Sequence, residues 1–580
     1  MLENTKWQTF FENSGGSASP SYTQTIEYFS ELEKKSGCVK LVQFGITPRG
    51  EKQYAVVIAK NRCFTPKAAR RAGRRVVVIQ NGIHPGEIEG KDAWMILARE
   101  IVVEKLHKEW LDSQVLILIP VLNIDGHNRA SEYNRVNQNG PTVQGWRTNA
   151  HNLNMNRDYA KADAPEMRAY LKFIHSWNPD FIIDNHTTNG ADYQYDISYG
   201  LEIHQNIDMA LAYFNMNVLT PELVHRLESK GLKVGPYIEP KYESIYDGVV
   251  MEPSLPRYST GYFAAINRIA ILVEAHALKP FVKRVESTKQ FNIAVLDLVA
   301  KHKDSLKDLN TRADRRSVER FALKKQPMPL IVESNDESEP FEFLGYKKRE
   351  YYSDVTGSTV VAYTSEPKEY SLLLYNKAVV TKSVTIPYCY VVPAEFTDVI
   401  ARLNAHSIVS HKLSKDIECT VNYYRYYDAS FAQRPYEGRF FADYKVTEMQ
   451  RVEVLNKGTL IIPTAQPLIR LIAQLFEPEG RDSFSHWGFF NAFFERKEYA
   501  EDFVFEPIAS KMLNENKELE QSFILRLEED ESFAESPEAR LDFFYQRSPF
   551  YDERENICPI YKIVDTASIE LIKEQRTKAE

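Results

Sequence analysis

Cysteine is scarce in this chain, and the few cysteines form no recognisable motif. Cys38, Cys63, Cys389, Cys419 and Cys558 are spread over 580 residues and include no CxxC pair. The spacing therefore indicates neither a zinc site built from thiolates nor a disulfide framework. Isolated buried thiols are the simpler interpretation.

Long apolar runs, repeats and an excess of positive charge are lacking as well. No run approaches the roughly 18 apolar residues of a membrane helix, so we expect no membrane span. The net charge of −8 gives no reason to expect nucleic acid or an anionic membrane as partner. The basic run Lys67 to Arg75 has no interleaved aromatic residues and is interpreted as a solvated loop.

The first 310 residues have the pattern of an α/β fold. From Val76 onward, short apolar runs alternate with helical patterns, which is typical of a sheet with helices on both faces. A long Asn- and Gly-rich segment, Arg129 to Asn156, lacks periodicity of its own, and loops of this length are usually functional or disordered. Asp163 is expected to cap the helix that begins at Pro165.

Beyond residue 310 the pattern changes. Tyr351 to Val384 contains Thr- and Tyr-rich segments typical of antiparallel strands, and Val452 to Ile462 is predicted to form a hairpin around Asn456-Lys-Gly458. A chain of this length should form two or three domains. We therefore divide it into an α/β domain at 1–310, a β-rich module at 311–440 and a mixed, mainly helical region at 441–580.

Polar residues stand where the apolar strands of the α/β domain end. His84 and Glu87 follow the run Val76 to Ile79, in the turn before a helix. Open α/β sheets bind ligands at the edge where the carboxyl ends of their strands lie. Imidazole and carboxylate are good zinc ligands. A surface histidine beside a glutamate that complements the helix dipole is the alternative.

Two later strands end in the same way. His186 follows the strand that begins at Asp180, and Glu274 ends the apolar run Ile269 to Val273. A carboxylate in an apolar strand is costly unless it is paired or functional. Two histidines and one glutamate, with a second glutamate free to act as general base, match the composition of a hydrolytic zinc site. Taken alone, His186 is more often a hydrogen-bonded structural histidine than a ligand.

The long loop supplies positive charge. Trp146-Arg147 and Asn156-Arg157 place two arginines ten residues apart. Arginine binds a carboxylate through two parallel hydrogen bonds and can stabilise a developing oxyanion.

The ordered set resembles the zinc carboxypeptidases of the carboxypeptidase A superfamily, and in particular its large bacterial members with a C-terminal extension. The motif consists of His84-Pro-Gly-Glu87, Trp146-Arg147, Asn156-Arg157, His186 and Glu274, within about residues 20–305. The resemblance implies an α/β fold around a mixed eight-stranded sheet, with residues 1–310 as the catalytic domain. It also implies one zinc ion per chain, bound by His84, Glu87 and His186.

The remaining roles follow from the same resemblance. Glu274 would deprotonate the zinc-bound water and later return the proton to the leaving amine. Arg147 would polarise the scissile carbonyl, and Asn156 with Arg157 would bind the terminal carboxylate of a peptide or peptide-like substrate. Tyr258 is assigned as the active-site tyrosine of the family, with Tyr262 and Tyr246 as the other candidates.

Two positions depart from the family pattern. The family often has an aspartate two residues before the Asn-Arg pair, where it orients the first zinc histidine; here Asn154 occupies that position. A neutral amide can still accept the imidazole proton. The Gly-rich segment that forms the side-chain pocket of the digestive enzymes has no clear counterpart in Arg257 to Gly261, so side-chain preference does not follow from the resemblance.

Other functions fit the same residues. A zinc amidase or deacylase, or a carboxypeptidase that trims peptidoglycan, would use the same metal site, and a binding protein without activity would retain only the fold. The C-terminal half either packs on the catalytic domain as a structural module, or narrows the cleft or binds a polymer or a second subunit. The large bacterial members are mostly exported, which implies export here. Met1 to Ser14 has no signal-peptide core, and a cytoplasmic location stays open.

Overall fold

The N-terminal half is built on one mixed sheet. The computed structural model describes residues 7–189 and 191–578. The strands of this half are β1 (Val39–Ile46), β2 (Lys52–Ile58), β3 (Arg75–Gln80), β4 (Gln114–Ile119), β5 (Phe181–Thr187), β6 (Ile197–Gly200), β7 (Val234–Pro236), β8 (Glu239–Pro240), β9 (Val249–Val250) and β10 (Ile269–Ala275). Among the described residues, eight of them form a sheet in the order β1-β2-β4-β3-β5-β10-β6-β7. The predicted eight-stranded α/β fold is confirmed.

The centre of this sheet is parallel. β3 pairs in parallel with β4 and β5, and β10 pairs in parallel with β5. Every residue of β3, β4 and β5 is buried, as expected for strands that are covered on both faces. Because parallel neighbours end at the same edge, the residues at the carboxyl ends of β3, β5 and β10 lie close together.

Helices cover both faces. The helices of this half are Phe10–Asn13, Tyr22–Lys35, Pro66–Arg71, Glu89–Val102, Trp110–Ser113, Ile124–Asn128, Pro165–Trp177, Met209–Phe214, Thr220–Glu228, Ser259–Ala265, Phe281–Lys301 and Lys303–Ser317. Tyr22–Lys35 and Glu89–Val102 pack on one face of the sheet with Phe281–Lys301. Pro165–Trp177 packs on the other face with Ser259–Ala265. No helix within 7–189 or 191–578 is both long and apolar enough to cross a membrane.

The start of the helix Pro165–Trp177 differs from the prediction. Its N-cap residue is Ala164, and no side chain caps it. Asp163 instead binds Arg402 and Arg439 of the C-terminal half. Two charge-assisted contacts with arginine outweigh the single hydrogen bond that a cap would provide.

The C-terminal half contains long antiparallel strands. They are β11 (Met328–Ser334), β12 (Glu339–Ser353), β13 (Ser358–Tyr375), β14 (Ala378–Val384), β15 (Cys389–Val392), β16 (His411–Leu413), β17 (Ile417–Phe431), β18 (Ala442–Leu455), β19 (Leu460–Pro463), β20 (Tyr561–Ile563) and β21 (Arg576–Lys578). The helices are Thr397–Ala405, Ile469–Phe476, Asp502–Glu515, Lys517–Glu529, Glu531–Glu535, Pro537–Tyr545 and Thr566–Gln575. Within the described ranges, seven strands form a sheet in the order β18-β17-β20-β15-β19-β16-β21.

The hairpin predicted at Val452 to Ile462 is wrong, although its turn exists. Gly458 has a φ of +90°, as a turn glycine can adopt. The flanking strands do not pair with each other: β18 pairs with β17, and β19 pairs with β15 and β16. β17 offers β18 a partner along nearly its whole length, and the buried apolar residues of β19 belong in the middle of the sheet.

The two halves share a hydrophobic core. One continuous buried cluster contains Ile174 and Phe263 of the N-terminal half together with Leu403 and Leu471 of the C-terminal half. The division predicted at residue 310 lies within the helix Lys303–Ser317, and the one at 440 lies between the paired strands β17 and β18. The C-terminal half therefore packs closely against the N-terminal half rather than forming a detached module.

Candidate metal centre and active site

A tight turn places the first two predicted zinc ligands. After β3 the chain reverses through Gly82, which has a φ of +62°, and the N–H of Glu87 donates to the carbonyl of His84 at 2.9 Å. Gly86 lies against a neighbouring segment so closely that a Cβ there would come within 2.5 Å of the Arg135 side chain. A side chain at Gly86 would therefore displace the loop that covers the turn.

The three predicted ligands lie together. Ligand atoms of His84, Glu87 and His186 are all within 4.8 Å of one another, and all three side chains are buried. His186 reaches this point because β5 runs beside β3, and Glu274 lies directly opposite it on β10. Strand pairing thus brings together residues that are far apart in sequence.

The protonation of the first histidine suits a metal ligand. Its Nε2 donates to Asn154 Oδ1 at 2.9 Å, which directs Nδ1 toward Glu87 at 3.1 Å. Nδ1 itself makes no hydrogen bond. Burial lowers the pKa of His84 to about 4, so the imidazole is neutral at pH 7, and the neutral form is the one that binds metals. Asn154 therefore accepts the imidazole proton, as a neutral amide can.

The second histidine has a carboxylate behind it. His186 Nε2 lies 2.9 Å from Asp184 Oδ2, and its Nδ1 lies 3.1 Å from Glu87 Oε2. Burial disfavours a charged imidazole, but Asp184 and Glu87 outweigh it and raise the pKa of His186 well above its usual value. These buried carboxylates favour a positive charge at this point, which a proton or a divalent cation can supply. The donor set and its charge therefore fit zinc.

Glu274 lies beside this cluster, opposite His186. Its side chain is buried, and Oε2 has no hydrogen-bond partner. Burial, together with Glu87 and Asp184, raises its pKa to about 8. A carboxylate with a pKa near neutrality can both take up and release a proton at pH 7.

Two arginines approach Glu87, and only one of them was predicted. Arg147 Nη1 lies 3.3 Å from Glu87 Oε1, and Arg135 Nη2 donates to the same oxygen at 2.7 Å. His84, Arg135 and His186 outweigh the effect of burial and hold the pKa of Glu87 well below its usual value. Arg135 lies in the long loop, where arginine is frequent, and no local pattern distinguishes it.

The predicted carboxylate clamp lies on a short 3₁₀ turn, Met155–Arg157. The N–H of Asn156 donates to Asn154 Oδ1 at 3.0 Å, and Arg157 Nη1 donates to the carbonyl of Asn156 at 2.8 Å. Oδ1 of Asn156 is buried without a hydrogen-bond partner. This turn therefore couples the clamp to Asn154 and, through it, to His84.

Two tyrosines line the cavity, the assigned Tyr258 and a second one, Tyr237. Tyr258 lines the cavity with its ring 4.5 Å from the Arg157 guanidinium, so it packs under the clamp. Tyr262 is buried between two histidines, and Tyr246 packs against Tyr370. Tyr237, which follows β7, lines the same cavity and is not among the predicted site residues. Burial and the nearby Glu274 raise the pKa of its phenol.

One cavity contains the whole set. A space of about 680 Å³ is lined by the three candidate ligands, Glu274, Arg147, Asn156, Arg157 and Tyr258. Ligand pockets of about 300–1,000 Å³ are typical for small molecules. Part of the wall comes from the C-terminal half, through residues 331–334, Thr381 and Arg481. This supports the interpretation that the C-terminal half narrows the cleft.

Comparisons with known proteins find similarity to carboxypeptidases. A family model for zinc carboxypeptidase (Peptidase_M14) matches residues 25–209. "Carboxypeptidase 2" of Trichophyton tonsurans is 22% identical over 434 residues, 71% of this chain and 73% of the relative. The Trichophyton rubrum protein of the same name is 20% identical over 492 residues, which cover 82% of this chain and 85% of the relative. Both alignments are longer than the predicted catalytic domain.

Solved structures align with about half of the chain. A metallo-carboxypeptidase from Burkholderia cenocepacia has a TM-score of 0.35 and 15% identity, covering 49% of this chain and 70% of that one. Carboxypeptidase A from Helicoverpa armigera has a TM-score of 0.34 and 16% identity, covering 51% and 73%. The family match and the aligned relatives therefore show that the chain is similar to zinc carboxypeptidases.

Proposed function

We propose that the protein is a zinc-dependent carboxypeptidase that hydrolyses the C-terminal peptide bond of peptide substrates. The observation that carries this proposal is that one cavity is lined by a metal-type donor set, a buried carboxylate, and the side chains of Arg147, Asn156 and Arg157. The arrangement matches a substrate whose scissile bond lies close to a free carboxylate.

Each side chain has a task that its surroundings suit. Zinc, held by His84, Glu87 and His186, would polarise a carbonyl and lower the pKa of water toward about 7. Glu274, with its raised pKa, takes the proton from the attacking water and returns it to the leaving amine. Arg147 reaches the metal cluster from the loop side and stabilises negative charge on the carbonyl oxygen.

The terminal carboxylate binds at the clamp, whose residues line the same cavity. Arg157 and Asn156 present a guanidinium and an amide there, and a guanidinium binds a carboxylate through two parallel hydrogen bonds. This clamp explains why the enzyme would act on the last residue and not within a chain. One zinc ion per chain and export from the cytoplasm remain parts of the proposal.

The test compares matched substrates. A peptide with a free C-terminus should lose its last residue, as followed by mass spectrometry, whereas the same peptide with a C-terminal amide should not. Treatment with a chelator should abolish release, and added zinc should restore it. Release that survives chelation would contradict the proposal. Turnover of acyl-amino acids or muropeptides but not of simple peptides would favour an amidase or a peptidoglycan-trimming enzyme instead.

A further inference from the structure

A tight turn of the C-terminal half reaches the carboxylate clamp. The long strands β17 and β18 are joined by a segment that ends in the turn Tyr436–Arg439, hereafter the clamp turn. The N–H of Tyr436 donates to the carbonyl of Arg439 at 2.8 Å, and the reverse bond is 3.1 Å. Glu437 and Gly438, at the two central positions, have φ of +50° and +78°. This is a two-residue turn with both central residues left-handed, the type that suits twisted antiparallel strands.

Glutamate is an unusual choice at the first of these positions. Left-handed backbone is uncommon for residues other than glycine, and its favoured occupants are asparagine and aspartate. Such strain persists where the surroundings hold the residue in place, often at functional sites. Here the side chain of Glu437 accepts a hydrogen bond from the backbone N–H of Asn154 at 2.7 Å. This contact with the active-site loop therefore holds Glu437 in place.

The clamp turn also binds the clamp arginine directly. Arg157 Nε donates to the hydroxyl of Tyr436 at 3.2 Å. The same guanidinium donates through Nη1 to the carbonyl of Asn156 and lies over the ring of Tyr258. A guanidinium carries five N–H groups, so two bonds to the protein fix its orientation and leave donors for a carboxylate.

Strong contacts hold the clamp turn itself. Arg439 donates two hydrogen bonds, of 2.7 and 2.8 Å, to the carboxylate of Asp163, and its guanidinium lies 3.5 Å from the ring centre of Phe489. The ring of Tyr436 stacks on Trp487 with an interplanar angle of 21°. These anchors belong to both halves, so the turn is fixed relative to the catalytic domain and not only to its own strands.

We propose that the clamp turn positions the substrate clamp: Tyr436 orients Arg157, and Glu437 fixes the backbone at Asn154, so that the C-terminal half completes the active site. The inference rests on the proposed function. Its physical basis is preorganisation, because an arginine that is already oriented loses less side-chain entropy when it binds a carboxylate.

The first test replaces the hydroxyl alone. Tyr436→Phe keeps the stacking on Trp487 but removes the acceptor for Arg157. KM for the peptide that the wild type cleaves fastest should rise by about tenfold, with kcat changed by less than about twofold. Tyr444→Phe is the matched control, because its hydroxyl donates within the C-terminal half to Pro478. It should leave both constants unchanged.

A binding measurement separates positioning from chemistry. In a Glu274→Gln background, which should bind the peptide without cleaving it, calorimetry should show the same loss of about tenfold in affinity for Tyr436→Phe. Glu437→Gln keeps an oxygen that can accept the Asn154 N–H and should bind like the parent, whereas Glu437→Ala should bind more weakly. Melting temperatures of all variants report whether the fold is intact.

The outcomes are distinct. If the wild type cleaves peptides and Tyr436→Phe behaves like Tyr444→Phe, the inference is overturned and the proposed function stands. Binding by Glu437→Ala that equals the parent would also overturn the role of Glu437 at Asn154. If the wild type neither binds nor cleaves any peptide, the proposed function fails and this inference falls with it.

Discussion

The two halves of the molecule place functional residues in different ways. In the N-terminal half, β3 and β5 are buried along their whole length, and the chemistry lies at their carboxyl ends. In the C-terminal half, strands such as β13 and β18 alternate between exposed and partly buried residues over long antiparallel pairs. Their contribution to the site comes from a turn and from a short stretch of cavity wall. The site residues of the N-terminal half thus lie at strand ends, whereas the C-terminal half contributes through surface contacts.

The contrast does not make the C-terminal half an accessory. Its helices Thr397–Ala405 and Ile469–Phe476 share a core with the N-terminal half, and Asp163 and Arg257 bind charged partners across the boundary. A half that contributes no metal ligand can still determine how the substrate is held. The variants below separate chemistry in one half from positioning and stability at the boundary.

The largest effect is expected at Glu274. Glu274→Gln removes the proton acceptor while keeping the shape, and kcat should fall by about 10²–10⁴-fold. Bound zinc should be unchanged, as measured by elemental analysis. Glu252→Gln is the control, because Glu252 lines the same cavity but binds Ser334. Equal losses in both variants would contradict a specific role for Glu274.

The next effect concerns stability at the boundary. Asp482 is fully buried and accepts hydrogen bonds from the backbone and side chain of Arg257. Arg257→Ala leaves that charge without its cationic partner and should lower the free energy of unfolding by about 3–5 kcal/mol. Arg312→Ala, which breaks an exposed pair with Asp308 within one helix, should cost less than about 1 kcal/mol. Urea denaturation measures both, and similar values would argue against a tightly coupled boundary.

A smaller effect is expected behind the metal site. Asp184→Asn keeps an oxygen for His186 but removes a negative charge, and zinc affinity should fall by about tenfold in chelator competition. Asp180→Asn, at the opposite end of the same strand, breaks a pair with Arg75 and should leave zinc affinity unchanged. Unaltered affinity in Asp184→Asn would show that the carboxylate does not support the metal.

The smallest effect depends on pH. Burial alone would raise the pKa of Asp163, but Arg439, Lys161 and Arg402 outweigh it and hold that pKa well below its usual value. A lowered pKa stabilises the fold fully above the unfolded value of about 3.9, and the contribution is lost as pH falls toward the folded value. Between pH 7 and pH 3, the contribution of Asp163 to the free energy of unfolding falls by about 1 kcal/mol.

The measurement for this pair compares two variants across pH. The stability difference between wild type and Asp163→Asn should be constant from pH 7 to pH 5 and shrink below about pH 4. Asp308→Asn, an exposed residue, should show little dependence. If the stability difference between wild type and Asp163→Asn grew as the pH falls, it would contradict a lowered pKa for Asp163 in the folded protein.

The sequence was most informative where chemistry and strand pattern coincide. His84, Glu87, His186 and Glu274 each end or follow an apolar strand, so parallel pairing alone predicts that they meet. Asp184 carries the same signal, a carboxylate within an apolar strand, yet its role behind His186 was missed. The rule that identified Glu274 applies to it equally.

Other features had no local signal. The turn at Asn456-Lys-Gly458 was visible, but which strands pair beside it depends on partners far away in sequence. The contact between Tyr436 and Arg157 likewise depends on how two halves pack, which no spacing within either half encodes. Turn chemistry is local, whereas strand pairing and docking are properties of the whole chain.

Metal content is the most direct test of the account. Elemental analysis of the purified wild type, of His186→Ala and of His225→Ala, an exposed helical histidine, requires no substrate. We expect about one zinc ion per chain in the wild type and in His225→Ala, and loss of zinc in His186→Ala. A wild type that holds no zinc and takes up none when it is added would contradict the metal site and every catalytic role that depends on it.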